Sequence, residues 1–302
     1  MCGIVGLFLK TPSLRPQLGL HFGPMLVGMS DRGPDSTGFA VYHRPIAANY
    51  CKLTLYNADT AFPWSEVGTH LGAALNAEVD VLIKARHAIM TAGADADSVR
   101  AWLREHHPEV RVMGYGRVME VYKEMGRTAD VVEKYGVAEM EGSHAVGHTR
   151  MATESAVTTI HSHPFTAAAD TCLVHNGSLS NYNRLRQWLQ RQGMDFETDN
   201  DTEVAARYFA YRLGQGASLA EAMEAGLHDL DGFYTFTMGT KDGFAVLRDG
   251  IACKPAVLAE TDHWVAMASE YRSLAHLPEV ETASIWEPKP GVVYTWALKN
   301  AA

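Results

Sequence analysis

Long apolar runs separated by short polar turn clusters set the rhythm of this chain. Residues 2–9 read as a buried strand, because Ile4-Val5 and Leu7-Phe8-Leu9 leave no continuous polar face. Residues 38–42, 144–150 and 171–175 carry the same signature. A helix ends over 25–30, before the polar run Asp31-Arg32-Gly33-Pro34-Asp35. A second spans 181–192 after Ser180, and a third spans 202–214, capped near 199–201. Strands follow at 233–239, 243–248, 256–259 and 264–268, with Lys241-Asp242-Gly243 and Arg248-Asp249-Gly250 as turns. Hairpin-like strand runs with helices grouped between them predict an α+β fold of stacked sheets under helical layers, not a strand–helix alternation.

Residues 50–140 have a different texture. Strands are expected at 50–56 and 79–85, and helices at 98–107, 116–125 and 129–135. This stretch reads as a small α+β insertion within one domain covering 2–302. Phe62, Trp64, Trp102 and Tyr115 read as exposed apolar residues and so as a candidate docking surface.

Composition narrows the function. The chain has 302 residues, 47% hydrophobic and 20% charged, which suits one large globular domain. Net charge is −9, with no basic cluster of the kind that nucleic acid or an anionic membrane attracts. No apolar run reaches the roughly 18–20 residues a bilayer needs, and the basic-then-apolar layout of a signal peptide is missing. Cys2, Cys51, Cys172 and Cys253 are scattered without a CxxC pair, which points to a reducing cytoplasm and away from disulfides or cysteine-bound zinc. Neither a phosphate-binding glycine loop nor a dinucleotide fingerprint occurs, so no site for FMN, NAD or ATP is expected on this chain.

The chemistry concentrates in a few polar positions. Cys2 directly follows Met1. Removal of Met1 would leave a thiol with reference pKa about 8.5 beside an α-amine near 7.7–8.0, a nucleophile with its own base. A free cysteine at a frayed terminus is the plain alternative. Arg150 ends an apolar strand, with Thr153 close behind, and offers a planar donor fork to a carboxylate. Asn176-Gly177 follows a buried strand and is either an ordinary turn or a pair of oxyanion donors. Asp201-Thr202-Glu203 opens a helix and reads first as a cap with acidic first-turn residues. His144, His148, His161, His163 and His175 cluster in sequence and pose a metal site as the rival reading, although HExxH and a fixed Cys or Glu spacing are both missing.

Together these segments resemble the class II glutamine amidotransferases. The matching runs are Cys2-Gly3-Ile4-Val5-Gly6, Arg32-Gly33-Pro34-Asp35-Ser36-Thr37-Gly38, Gly147-His148-Thr149-Arg150-Met151-Ala152-Thr153, His163-Pro164, His175-Asn176-Gly177 and Asp201-Thr202-Glu203. Asp231-Gly232-Phe233-Tyr234, Arg248-Asp249-Gly250, Lys254-Pro255 and Ala268-Ser269-Glu270 are similar to the family's later strand motifs. The runs fall in family order and cover nearly everything outside 50–140.

The resemblance implies a four-layer αββα N-terminal-nucleophile hydrolase sandwich that hydrolyses L-glutamine through a γ-glutamyl thioester. Motif by motif, it implies Cys2 as nucleophile with its α-amine as base, and Asn176 with the Gly177 N–H as the oxyanion hole. Arg150 would take the α-carboxylate of glutamine and Asp201 its α-ammonium, with Thr153 and His163 lining the pocket. Met151 stands where many members have Trp, and Glu154 where Gly or His often follows the threonine.

The long 50–140 segment and the run from Met151 to Ala156 are most similar to stand-alone, glutamate-synthase-like glutaminase subunits, and within these to the small subunit of N-methylglutamate synthase. Members that use their own ammonia carry a second large domain, and little sequence remains here after Glu270. The resemblance therefore implies delivery of ammonia to a separate synthase subunit, with FMN on that partner. A self-sufficient amidase and a non-catalytic regulatory subunit on the same scaffold are the alternatives; the Arg150 and Asp201 pair argues against the first, and retention of Cys2, Asn176-Gly177, Arg150 and Asp201 against the second.

Overall fold

The structure is a computed structural model that describes residues 2–151 and 158–299, without the side chain of Ala167. Among the described residues sixteen strands form three antiparallel sheets. The largest runs β15 (Ser284–Trp286), β13 (Val257–Glu260), β14 (Trp264–Ala268), β1 (Gly3–Leu9), β8 (His144–Arg150), β2 (Ser36–Tyr42) and β7 (Met119–Met125). The second runs β16 (Val293–Ala297), β12 (Gly243–Arg248), β11 (Gly232–Thr240), β10 (Thr171–Leu179) and β9 (Phe165–Ala168). The third runs β4 (Val79–Lys84), β5 (His87–Ala92), β3 (Cys51–Tyr56) and β6 (Arg111–Gly116).

Period-2 alternation explains why the central strands lack a polar face. On β1, Val5, Leu7 and Leu9 pack under helix α1 (Leu18–Val27), while Ile4 and Phe8 pack against the second sheet. On β2, Phe39 and Val41 join the first layer, and Ala40 and Tyr42 the second. The second sheet repeats the pattern: Cys172, Val174, Phe244 and Val246 face the large sheet. Leu173, Leu179, Ala245 and Leu247 face the outer helices α5 (Tyr182–Arg191), α6 (Asp201–Gly214) and α7 (Leu219–Asp229). Helix, sheet, sheet and helix follow in that order, so the protein is a four-layer αββα sandwich. With both faces of each sheet covered, strands here need apolar residues at every position.

The third sheet carries α2 (Trp64–Leu75) and α3 (Ala96–His106) on one face. Trp64 is only 2% exposed, and Phe62, Trp102 and Tyr115 pack against the same cluster. The docking surface expected from these aromatics is therefore the sheet's own core. The expected helix over 116–125 is also corrected, because β7 lies there and pairs with β2 from Ser36↔Met125 to Tyr42↔Met119. This strand's polar residues are buried in pairs: Lys52 Nζ donates to Glu120 Oε1 at 3.0 Å, and Tyr122 Oη donates to Glu120 Oε2 at 2.7 Å. Chain order then continues through helix α4 (Thr128–Lys134), whose Val131 packs in the α1 layer.

Candidate functional site

Strand parity brings the predicted residues to one place. Gly3 pairs with Thr149 and Ile4 with His148, so Cys2 stands at the level of Arg150, where β1 begins and β8 ends. Even-numbered residues of β1 face the second sheet, as Ile4 and Phe8 do, and Cys2 continues that row. Val146 sets the same parity for His148 and Arg150 on β8, and Cys172 and Val174 set it for Asn176 on β10. Cys2, Arg150 and Asn176 thus share the inter-sheet face at one end of the sandwich.

The start of β1 is held by residues distant in sequence. Arg32 Nε donates to the Cys2 carbonyl at 3.0 Å and Arg32 Nη1 to Glu270 Oε1 at 2.7 Å. Arg272 grips the other Glu270 oxygen at 2.9 Å and Asp31 at 3.0 Å. Ser269 Oγ accepts from the Ile4 N–H at 3.0 Å, and the Ser269 N–H donates to the Ile4 carbonyl at 2.9 Å. The Cys2 thiol, half-buried, lies 3.8 Å from the Met151 carbonyl. Gly33 lets this segment approach β8, since a Cβ there would sit 2.3 Å from the Thr149 carbonyl carbon. Arg150 is buried, which pulls its guanidinium downward, while Cys2 and Asp35 are the charge neighbours that hold it up.

On the facing sheet Asn176 is buried, and its Nδ2 has no hydrogen-bond partner among the described residues. The next residue, Gly177, adopts φ 152°, and a Cβ on it would meet the Phe233 carbonyl at 2.0 Å, so only glycine fits. Asp201 is the first residue of α6, whose Asn200 cap accepts from the Thr202 N–H at 2.8 Å. The Leu179 N–H donates to Asp201 Oδ2 at 2.9 Å, tying the carboxylate to β10. Its side chain remains 22% accessible and so open to a ligand. His163 is buried, its Nε2 2.8 Å from Thr202 Oγ1. Thr153 lies outside the described residues.

Of the other histidines, only His148 and His175 pack with His163 among the described residues. His148 stacks on His163 with ring centroids 3.9 Å apart. His144 stacks on Tyr42 at 4.0 Å, far along the same strand. Among the described residues no group of three or more His, Cys, Asp or Glu is arranged to hold a metal ion. Thr202, Arg32, Ser269 and Glu270 are residues in contact with the candidate site not singled out individually from sequence. Arg32, Ser269, Glu270 and Thr202 lay inside matched motifs, and only the three-dimensional contacts give them a task.

Burial pushes His87, His144 and His148 down to about 3, and lowers His163 and His175 as well, with Asp201 pulling His175 partly back. These rings stay neutral in the fold, whereas the unfolded chain protonates them below about pH 6.5. Their stabilising contribution is therefore complete above that pH and is lost as pH falls toward the folded values. Each histidine removes about 1.4 kcal/mol per pH unit in that window. His87, His144 and His148 alone then remove about 6 kcal/mol by pH 5, comparable to the usual total of about 5–15 kcal/mol. Acid unfolding is expected between roughly pH 4 and 5, followed by circular dichroism; a native signal persisting at pH 3.5 would contradict it.

The profile of a family described as glutamine amidotransferase domain matches residues 148–276. A Rhizobium meliloti protein named glutamine amidotransferase-like protein GlxB is 52% identical over the full length of both chains. A putative glutamine amidotransferase of Methanothermobacter thermautotrophicus is 31% identical over 99% of this chain and 100% of its own. Among solved structures, the glutamine phosphoribosylpyrophosphate amidotransferase from B. subtilis superposes with a TM-score of 0.62 at 19% identity. That match covers 97% of this chain and 47% of the solved one, so the present chain spans about half the length of that neighbour.

Proposed function

The chain belongs to the class II glutamine amidotransferases, enzymes that process glutamine, and from that membership we propose that it hydrolyses L-glutamine through a thioester on Cys2. The Cys2 α-amine, freed by loss of Met1, takes the thiol proton. The thiolate attacks the side-chain amide carbon, and the resulting oxyanion is received by Asn176 Nδ2 and the Gly177 N–H. Collapse expels ammonia, which takes its proton from the α-ammonium of Cys2, and leaves a γ-glutamyl thioester. Water then attacks with the amine again as base, releasing L-glutamate and the thiol. Arg150 binds the α-carboxylate and Asp201 the α-ammonium, so the zwitterion is fixed at both charged ends.

The observation that carries this reading is the shared inter-sheet face of Cys2, Arg150 and Asn176, with Asn176 Nδ2 buried and without a partner among the described residues. A buried donor without a partner is unfavourable in the resting protein and becomes favourable when negative charge develops beside it. The purified chain should release ammonia and glutamate from glutamine in equal amounts. Asn176→Ala should lower kcat by roughly 10²–10³. Arg150→Ala and Asp201→Asn should act mainly on KM, each losing about 2–5 kcal/mol in kcat/KM. An Asn176→Ala effect confined to KM would remove its oxyanion role.

The ammonia is delivered to a separate synthase subunit of the glutamate synthase or N-methylglutamate synthase type, which would carry any FMN. Free ammonia is mostly ammonium at neutral pH and is then no nucleophile, so hydrolysis is useful when an acceptor is docked. The unpaired cysteines fit a reducing cytoplasm. Recovery of the chain from native extract as a lone species with full, unstimulated turnover would overturn the partner assignment.

A further inference from the structure

Asp201 does not stand alone at the start of α6. Thr202 beside it is 1% exposed, and its Oγ1 lies 2.8 Å from His163 Nε2, 2.8 Å from His175 Nδ1 and 3.3 Å from Asp201 Oδ1. A hydroxyl has one proton and two acceptor lone pairs. An ionised carboxylate only accepts, so all three contacts are made in one arrangement: the hydroxyl donates to Asp201 and both rings donate to the hydroxyl. If the hydroxyl instead donated to a ring, that ring's proton would move to His163 Nδ1 or His175 Nε2. Both atoms are buried without a hydrogen-bond partner among the described residues, and an N–H left unpaired there carries its full desolvation penalty, which a bare ring lone pair carries less heavily. The tautomers are thereby assigned as Nε2–H on His163 and Nδ1–H on His175.

The consequence falls on Asp201. Its Oδ2 is held by the Leu179 N–H and its Oδ1 by the Thr202 hydroxyl, so both oxygens are fixed. His175 immediately precedes Asn176, so the same hydroxyl ties the strand of the oxyanion donor to the helix that carries the Asp201 carboxylate. We propose that Thr202 is a positioning residue that, clamped by His163 and His175, orients the Asp201 carboxylate toward the α-ammonium of glutamine. This deepens the glutaminase reading and rests on the role given there to Asp201.

Steady-state kinetics test it. Thr202→Val keeps the shape and removes the hydroxyl; it should raise KM for glutamine about 10–100-fold while kcat stays within about threefold, as loss of a hydrogen bond to a charged group predicts. Thr202→Ser should restore KM to within about threefold of the parent. In an Asp201→Asn background the valine change should add less than about threefold, because its effect runs through the carboxylate. An unchanged KM in Thr202→Val, a failure of serine to rescue, or full additivity with Asp201→Asn would each overturn the proposal. The ¹⁵N shifts of His163 and His175 in the unmutated chain provide a test independent of any variant's folding. The opposite tautomer at either ring overturns the clamp. A parent chain inactive on glutamine would instead sink the glutaminase reading, and the tautomers would still decide the clamp.

Discussion

Replacing Cys2 with alanine is expected to reduce glutamine-dependent ammonia release by about 10⁴–10⁶-fold, the scale seen when a catalytic nucleophile is deleted. The protein should remain folded. The contacts that hold the start of β1 are made by the Cys2 carbonyl to Arg32 and, two residues on, by Ile4 to Ser269, and neither uses the thiol. A diazo-ketone analogue of glutamine should label Cys2 and spare the other cysteines. Cys172 is buried against Tyr42 with its thiol pushed up to about 12, and burial also raises Cys51, so neither offers a thiolate near neutral pH. Cys253 is exposed and is the sharper control, because accessibility alone would label it. Labelling of Cys253 together with retained turnover in Cys2→Ala would refute the assignment.

Much of the sandwich was readable in advance because its central strands are sealed on both faces. A run such as Ile4–Leu9 has no other stable home, and β8, β10, β11, β12 and β14 follow the same logic. The failure at β7 has an equally physical cause. Met119, Tyr122 and Met125 recur at helical spacing, while Glu120, Lys123 and Glu124 look like a solvated face. Yet all three charged residues are buried, and Glu120 meets its partner Lys52 on a different sheet. Pairing across a sequence gap hides a strand from any local pattern. The aromatics of the third sheet were misjudged for a related reason, since apolar residues between polar ones look exposed until a helix covers them.

The site divides along the same line. Cys2, Arg150, Asn176-Gly177 and Asp201 each stand in a short motif whose residue types announce donors, acceptors or a nucleophile. What holds them does not. The Arg32–Glu270 pair spans 238 positions, and the His163–Thr202 contact spans 39. A polar residue that acts only through another leaves no composition signal, and Thr202 reads as a plain first-turn threonine until its three neighbours are in place.

An amino-terminal extension should also be strongly damaging, though less than loss of the thiol. Inserting a bulky residue between Met1 and Cys2 blocks removal of the leader and turns the Cys2 α-amine into an amide, which is not a base near pH 7. No replacement stands ready among the neighbouring histidines. The His163 and His175 rings are both engaged with Thr202, and burial keeps them poorly basic. Arg150 cannot accept a proton at neutral pH. With the thiol intact but its base removed, kcat should fall by roughly 10²–10⁴, the usual contribution of general acid–base catalysis. Intact-mass measurement should show the active parent lacking Met1 and the variant retaining its extension. The variant should keep its thermal midpoint, because the Arg32 and Ser269 contacts to the Cys2 carbonyl and Ile4 are unaffected. Parent-level turnover at pH 7 in a chain shown by mass to carry the extension would mean that a group other than the α-amine receives the proton.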